Sequence, residues 1–171
     1  MNQELNTPMD TKKTKTLLFV CLGNICRSPS AEAVMNAVIK KANLSSHIIC
    51  DSAGIIGNHE GNSADSRMRL HAARRSYDLT SISRQFRYKT DFDKFDLIIG
   101  MDDQNIADLQ SQARHKADLN KIVKMTDYCS NYKHYTTVPD PYYGGEEGFE
   151  LVLDLLEDAC DGLLNHLNGK I

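Results

Sequence analysis

Two thiols, a guanidinium and a hydroxyl stand within one eight-residue stretch, Cys21-Leu22-Gly23-Asn24-Ile25-Cys26-Arg27-Ser28. Such a cluster suits three kinds of chemistry: a metal site, a disulfide, or a thiolate that attacks phosphorus. Cys-x4-Cys without a second cysteine pair is a poor zinc pattern, and His59 and His71 have no partner motif. The chain has five cysteines, Cys21, Cys26, Cys50, Cys129 and Cys160, and no apolar N-terminal secretory segment. An odd count in that context argues against a disulfide framework. A catalytic thiolate uses the whole stretch. Gly23 and Asn24 tolerate the positive φ that turns backbone N–H groups into an anion-binding nest. A helix N-terminus behind the nest adds positive potential. Arg27 forks onto two phosphoryl oxygens, and the same potential favours the thiolate of Cys21. Ser28 donates a hydrogen bond to that sulfur.

Such a loop must be placed by the elements around it. An apolar run at 16–20 precedes it, and a helical pattern at 30–42 follows, with Pro29 expected at the first helical position. Further strands are expected at 47–50, 96–101 and 121–125, and helices at 65–77, 102–113 and 148–167. The last carries one apolar stripe, Leu151, Leu155, Leu156, Ala159, Leu163 and Leu167. Alternating strands and helices imply an α/β three-layer sandwich, with a central four-stranded parallel sheet flanked by helices. Ligands of such folds bind at the carboxyl ends of the strands, where the phosphate-binding loop after the first strand lies.

The string CLGNICRSP at 21–29 resembles the signature of the low-molecular-weight protein tyrosine phosphatase family. So does Asp-Pro-Tyr-Tyr at 140–143, and AEAV (31–34), DSAG (51–54), SRQF (83–86), FDLIIGMDDQN (95–105) and GFE (148–150) also match. The resemblance spans roughly 15–168. It implies that Cys21 is the nucleophile and that Arg27 grips the equatorial oxygens. Asn24 holds the loop with Ser52 as its hydrogen-bond support, and Asp140 is the general acid and then the base. Leu22, Gly23, Ile25, Cys26 and Ser28 complete the phosphate-binding loop. Chemistry independently requires an acid, because a phenolate departs more readily once protonated, typically by ~10²–10⁴-fold. The flanking Pro139 and Pro141 keep Asp140 out of a helix interior. The resemblance further implies a cleft wall of Tyr142 and Tyr143, with Leu22 and Ile25 adding apolar surface and His59 at the rim. Cys26, not needed for the chemistry, is expected as a redox partner of Cys21 under peroxide.

Many relatives carry a histidine where this chain has Ser81. Arg67, Arg69, Arg74 and Arg75 read as a solvated helix face. Cys50 and Cys160 read as structural thiols, and Cys129 is left open. Residues 1–14 read as a flexible tail and 15–171 as a single phosphatase domain. The 171-residue chain has a formal net charge of −3 and no apolar run long enough to span a bilayer. A cytoplasmic protein is expected, without nucleic-acid binding, cofactor or metal. Its partners are phosphotyrosine proteins, a tyrosine kinase among the candidates. Three other readings compete. A thioredoxin-coupled arsenate reductase needs a cysteine relay, and 51–128 contains no cysteine. Arginine phosphatases of the family tend to have threonine where Ile25 stands. A phosphotyrosine-binding module without activity would not need Asp140.

Overall fold

A computed structural model describes residues 14–142 and 144–169. Four strands, β1 (Lys15–Cys21), β2 (Ile48–Gly54), β3 (Leu97–Gly100) and β4 (Ile122–Lys124), form one parallel sheet in the order β2-β1-β3-β4. Among the described residues six α-helices surround it: α1 (Arg27–Lys41), α2 (Ser66–Ala73), α3 (Tyr88–Lys94), α4 (Asp103–Gln112), α5 (Lys116–Leu119) and α6 (Glu146–Asn168). The expected three-layer α/β sandwich is the observed one.

β1 alternates its side chains across the sheet. Leu17, Phe19 and Cys21 face a core built with α1, α2 and α6, including Val34, Met35, Met68, Val152 and Leu156. Leu18 and Val20 face a second core with Ile98, Phe92 of α3 and Leu109 of α4. Both faces of the central strand are therefore dry, which explains its unbroken apolar run. The chain goes to one side of β1 for β2 and to the other for β3. The carboxyl end of β1 is thus the switch point, where the loops after β1 and β3 diverge and leave a crevice.

Several sequence expectations shift. β2 continues through Asp51-Ser52-Ala53-Gly54, because β1 offers paired backbone as far as Cys21 opposite Gly54. α1 starts at Arg27, so Pro29 is its third residue rather than its first. Its missing N–H is harmless there too, since the first intrahelical bond runs from Ser30 N–H to the Cys26 carbonyl. The short helices α3 and α5 have too few residues to show a periodicity. The arginines on and just after α2 are not simply solvated: Arg75, two residues past the helix, bonds Glu150, Asp154 and Glu157 of α6, and Arg69 Nε donates to the Ala64 carbonyl. Positions 1–13 of the expected tail and Tyr143 lie outside the described residues. Among the described residues no helix is long and apolar enough to cross a membrane.

The segment leading toward Asp140 is moored to α6 by Asp158. Its carboxylate accepts from the N–H groups of Ser130, Asn131 and Tyr132 and from the Ser130 hydroxyl. Burial opposes the charge, but these donors, Tyr132 N–H foremost, outweigh it and hold the carboxyl below its ordinary value. Stability of this origin is complete above the ordinary carboxylate range and is lost as pH falls through the folded value. Asp158→Ala is expected to cost about 2–3 kcal/mol at pH 7. That should lower the thermal midpoint by roughly 4–12 °C. The gap between wild type and variant should narrow below the ordinary value of 3.8. Equal midpoints at pH 7 would show that the mooring is unimportant.

Candidate active site

The loop after β1 is shaped by what grips it from outside. Asn24 takes a left-handed φ of 59°. Its side-chain oxygen accepts from the Arg84 N–H at 3.0 Å, and its carbonyl accepts from the Ser83 hydroxyl at 2.5 Å. The Arg84 contact settles which end of the amide is which, so Asn24 Nδ2 donates to Ser28 Oγ at 2.8 Å. With that lone pair used, the Ser28 proton is available to Cys21 Sγ, 3.1 Å away. Gly23 is not in the left-handed region, contrary to expectation. A Cβ there would approach the His59 ring closely, with Cδ2 3.1 Å away.

Ser52 does not support Asn24, which corrects that assignment. Its hydroxyl donates to Glu32 Oε1 at 2.6 Å, and Ser81 adds a second hydrogen bond to the same carboxylate. Ser81 thus shares the Glu32 carboxylate with Ser52. Burial raises the Glu32 pKa above its usual value, partly offset by the Ser52 hydrogen bond.

Arg27, the first residue of α1, is 3% exposed. Its Nη1 donates to Asp102 Oδ2 at 2.7 Å and to the Val138 carbonyl at 3.0 Å. Asp102 also caps α4, accepting from the Asn105 N–H. Burial works against the Arg27 charge, but the facing Cys21 sulfur and Asp102 outweigh it and hold the guanidinium more firmly protonated than usual. Val138 N–H in turn donates to the Met101 carbonyl, anchoring the segment that brings in Asp140. Asp140 Oδ2 is 3.7 Å from Arg27 Nη2.

These pieces enclose a cleft of about 190 Å³. Cys21, Cys26 and Arg27 line it with Leu22, Gly23 and Ile25; Asp140, Tyr142, His59, Asn58 and Ile56 complete it. Asn24, Ser28 and Ser52 are buried and hold its shape from behind. Burial first, then the negative charge of Asp65, Cys21 and Asp140, pushes the Cys26 thiol well up. Cys26 therefore stays protonated. The other three cysteines lie away from the cleft. Cys160 is fully buried, and burial with nearby Asp158 pushes Cys129 up to about 12.

Asp102, Ser83, Arg84, Glu32 and Ile56 had no role in the sequence reading. The first three fall inside the DDQN and SRQF strings, which were noticed as markers without a contact to explain them.

The chain matches a family model described as low molecular weight phosphotyrosine protein phosphatase over residues 16–171. A solved protein tyrosine phosphatase from Entamoeba histolytica is 51% identical, with TM-score 0.88, covering 92% of this chain and 100% of that one. A low molecular weight protein-tyrosine-phosphatase from Streptomyces coelicolor is 40% identical over 92% of this chain and 96% of its own. A Drosophila arginine phosphatase structure is 29% identical, with TM-score 0.81, covering 88% of this chain and 96% of that one. The family model covers nearly the whole chain and the fold agrees with the solved structures, so the chain belongs to the low molecular weight phosphotyrosine protein phosphatase family.

Proposed function

We propose that the chain hydrolyses protein phosphotyrosine through a cysteinyl-phosphate intermediate formed on Cys21. The observation that carries this is the meeting of Cys21, Arg27 and Asp140 in one cleft, with the Ser28 hydroxyl at hydrogen-bond distance from the sulfur. The Cys21 thiolate attacks phosphorus in line with the tyrosyl oxygen, forming an S–P bond as the P–O bond breaks. Arg27, its plane fixed by Asp102 and Val138, presents its remaining edge to two equatorial oxygens, where charge is held through the transition state. Loop N–H groups and the start of α1 share that load. Protonated Asp140 gives its proton to the departing phenolate. The resulting carboxylate takes a proton from water as the water oxygen attacks phosphorus, and the S–P bond breaks to return the Cys21 thiolate. Ser28 steadies the sulfur as attacker and as leaving group.

Leu22, Ile25, His59 and Tyr142 give the cleft an apolar and aromatic rim that suits an aryl phosphate. Of the alternatives, arginine phosphatase chemistry is disfavoured by Ile25, and arsenate reduction by the absence of cysteine from 51–128. Cys50, Cys129 and Cys160 do not line the cleft, so a thiol relay has no station beyond Cys26. Free thiols throughout suit a reducing cytoplasm, and a tyrosine kinase is one candidate phosphoprotein.

A panel of phosphotyrosine, phosphoarginine and phosphoserine peptides, with arsenate and thioredoxin as a fourth arm, tests the reading. Turnover of phosphotyrosine is expected, and its absence beside any other activity would sink it. Cys21→Ser should abolish turnover while keeping phosphate binding. Asp140→Ala should slow poor leaving groups about 10²-fold or more and good ones much less. Equal losses would remove Asp140 from the acid role.

The same site carries a proposed redox switch. Peroxide oxidises Cys21 to a sulfenic acid; the Cys26 thiol then attacks its sulfur, forming a disulfide and releasing water. Oxidation also removes the Cys21 charge, one of the causes that keep Cys26 protonated. Wild type should regain activity with dithiothreitol after peroxide, whereas Cys26→Ala should not. Equal recovery would reduce Cys26 to a packed thiol.

A further inference from the structure

Arg67 is an exposed residue in the first turn of α2, yet it touches both halves of the site. Its Nε and Nη2 bond the two Asp65 oxygens at 3.1 and 2.9 Å. Asp65 is itself fixed: its carboxylate caps α2 through the N–H groups of Arg67 and Met68, and its own N–H donates to the Ile25 carbonyl of the phosphate loop at 2.8 Å. Arg67 Nη2 also donates to the Tyr142 carbonyl at 3.1 Å. The guanidinium carbon lies 5.3 Å from the Tyr142 ring centre and 5.0 Å from that of Phe149. Phe149 is buried and stacked on His71, so the lower face of this sandwich is anchored in the core. The chain of contacts closes on the acid, because the Tyr142 N–H donates to Asp140 Oδ1 at 3.0 Å.

We propose that Arg67 is a positioning residue for the general acid, joining the phosphate loop, through Asp65 and Ile25, to the Asp140 turn, through the Tyr142 carbonyl and ring. The proposal rests on Asp140 being the acid. A forked, stacked guanidinium does this where a lysine would not, since it holds a carboxylate, a carbonyl and two rings from one plane. The Arg67 side chain is 46% exposed, so its ion pair adds little to stability. The gain is geometric. It keeps a carboxyl at the cleft mouth within reach of the leaving oxygen, and proton transfer fails over small displacements.

Three proteins test this, wild type, Arg67→Ala and Arg67→Lys, each assayed for kcat/KM on phenyl phosphate and on p-nitrophenyl phosphate and for inhibition by inorganic phosphate. Arg67→Ala should lose about tenfold on phenyl phosphate, which needs the acid, and less than about threefold on p-nitrophenyl phosphate, which does not. Phosphate inhibition should be unchanged, and Arg67→Lys should fall between. In an Asp140→Ala background, Arg67→Ala should cost nothing more, because a residue that acts through the acid is silent without it. Parallel losses on both substrates, unchanged phenyl phosphate turnover, or full additivity with Asp140→Ala would each overturn the proposal. A wild type that hydrolyses neither ester would instead overturn the phosphatase reading itself.

Discussion

Everything at the site depends on one unfavourable backbone angle. Asn24 sits at φ 59°, in the left-handed region that a side chain disfavours. It stays there because Ser28, Ser83 and Arg84 satisfy its amide and carbonyl together. The turn this creates lets the loop face its N–H groups inward. The room beneath it is also set by backbone. A Cβ on Gly54 would lie 2.9 Å from the Gly23 carbonyl carbon and 3.0 Å from the Leu22 oxygen, so the end of β2 must be bare. Gly54 then bonds the SRQF strap in both directions, its N–H to the Arg84 carbonyl and its carbonyl to the Phe86 N–H. Loop, strand end and strap are joined into one hydrogen-bonded unit.

Charge is arranged around that unit with the same economy. Arg27 is a buried cation, which is tolerable only with a partner. Asp102 fills that need from the end of β3, and the Val138 carbonyl takes a second bond from the same nitrogen. The strand order explains the meeting. β1 and β3 are neighbours, and the crevice between their carboxyl ends is where α1 and α4 both begin. The arginine, its counter-ion and the thiol are thus brought together by topology, and Asp140 is added by a long segment moored to Met101 and α6.

The sheet and its main helices were legible because burial imprints a period. β1 is apolar on both faces, and α6 carries a stripe that the structure buries almost completely. Boundaries were less legible. Asp51-Ser52-Ala53-Gly54 reads as a turn by composition, yet it is strand because β1 supplies its hydrogen bonds. The arginines on and just after α2 read as solvent-facing by charge alone, yet Arg75 is spent on three acids of α6 and Arg67 lies between two aromatic rings.

By itself the sequence determined the chemistry: a thiol, an arginine and a hydroxyl at the end of a strand, with an aspartate between prolines far downstream. Those facts are local, since residue type and spacing specify a phosphate nest without reference to the rest of the chain. Only the tertiary structure decided which residues support them. Asp102, Arg84, Ser83 and Glu32 lie between 20 and 75 residues from the groups they hold. Ser52 turned from Asn24 to Glu32, and Gly23 lies outside the left-handed region with His59 close over it. Partner choice over such separations depends on which backbones pack together, and that is a property of the whole fold.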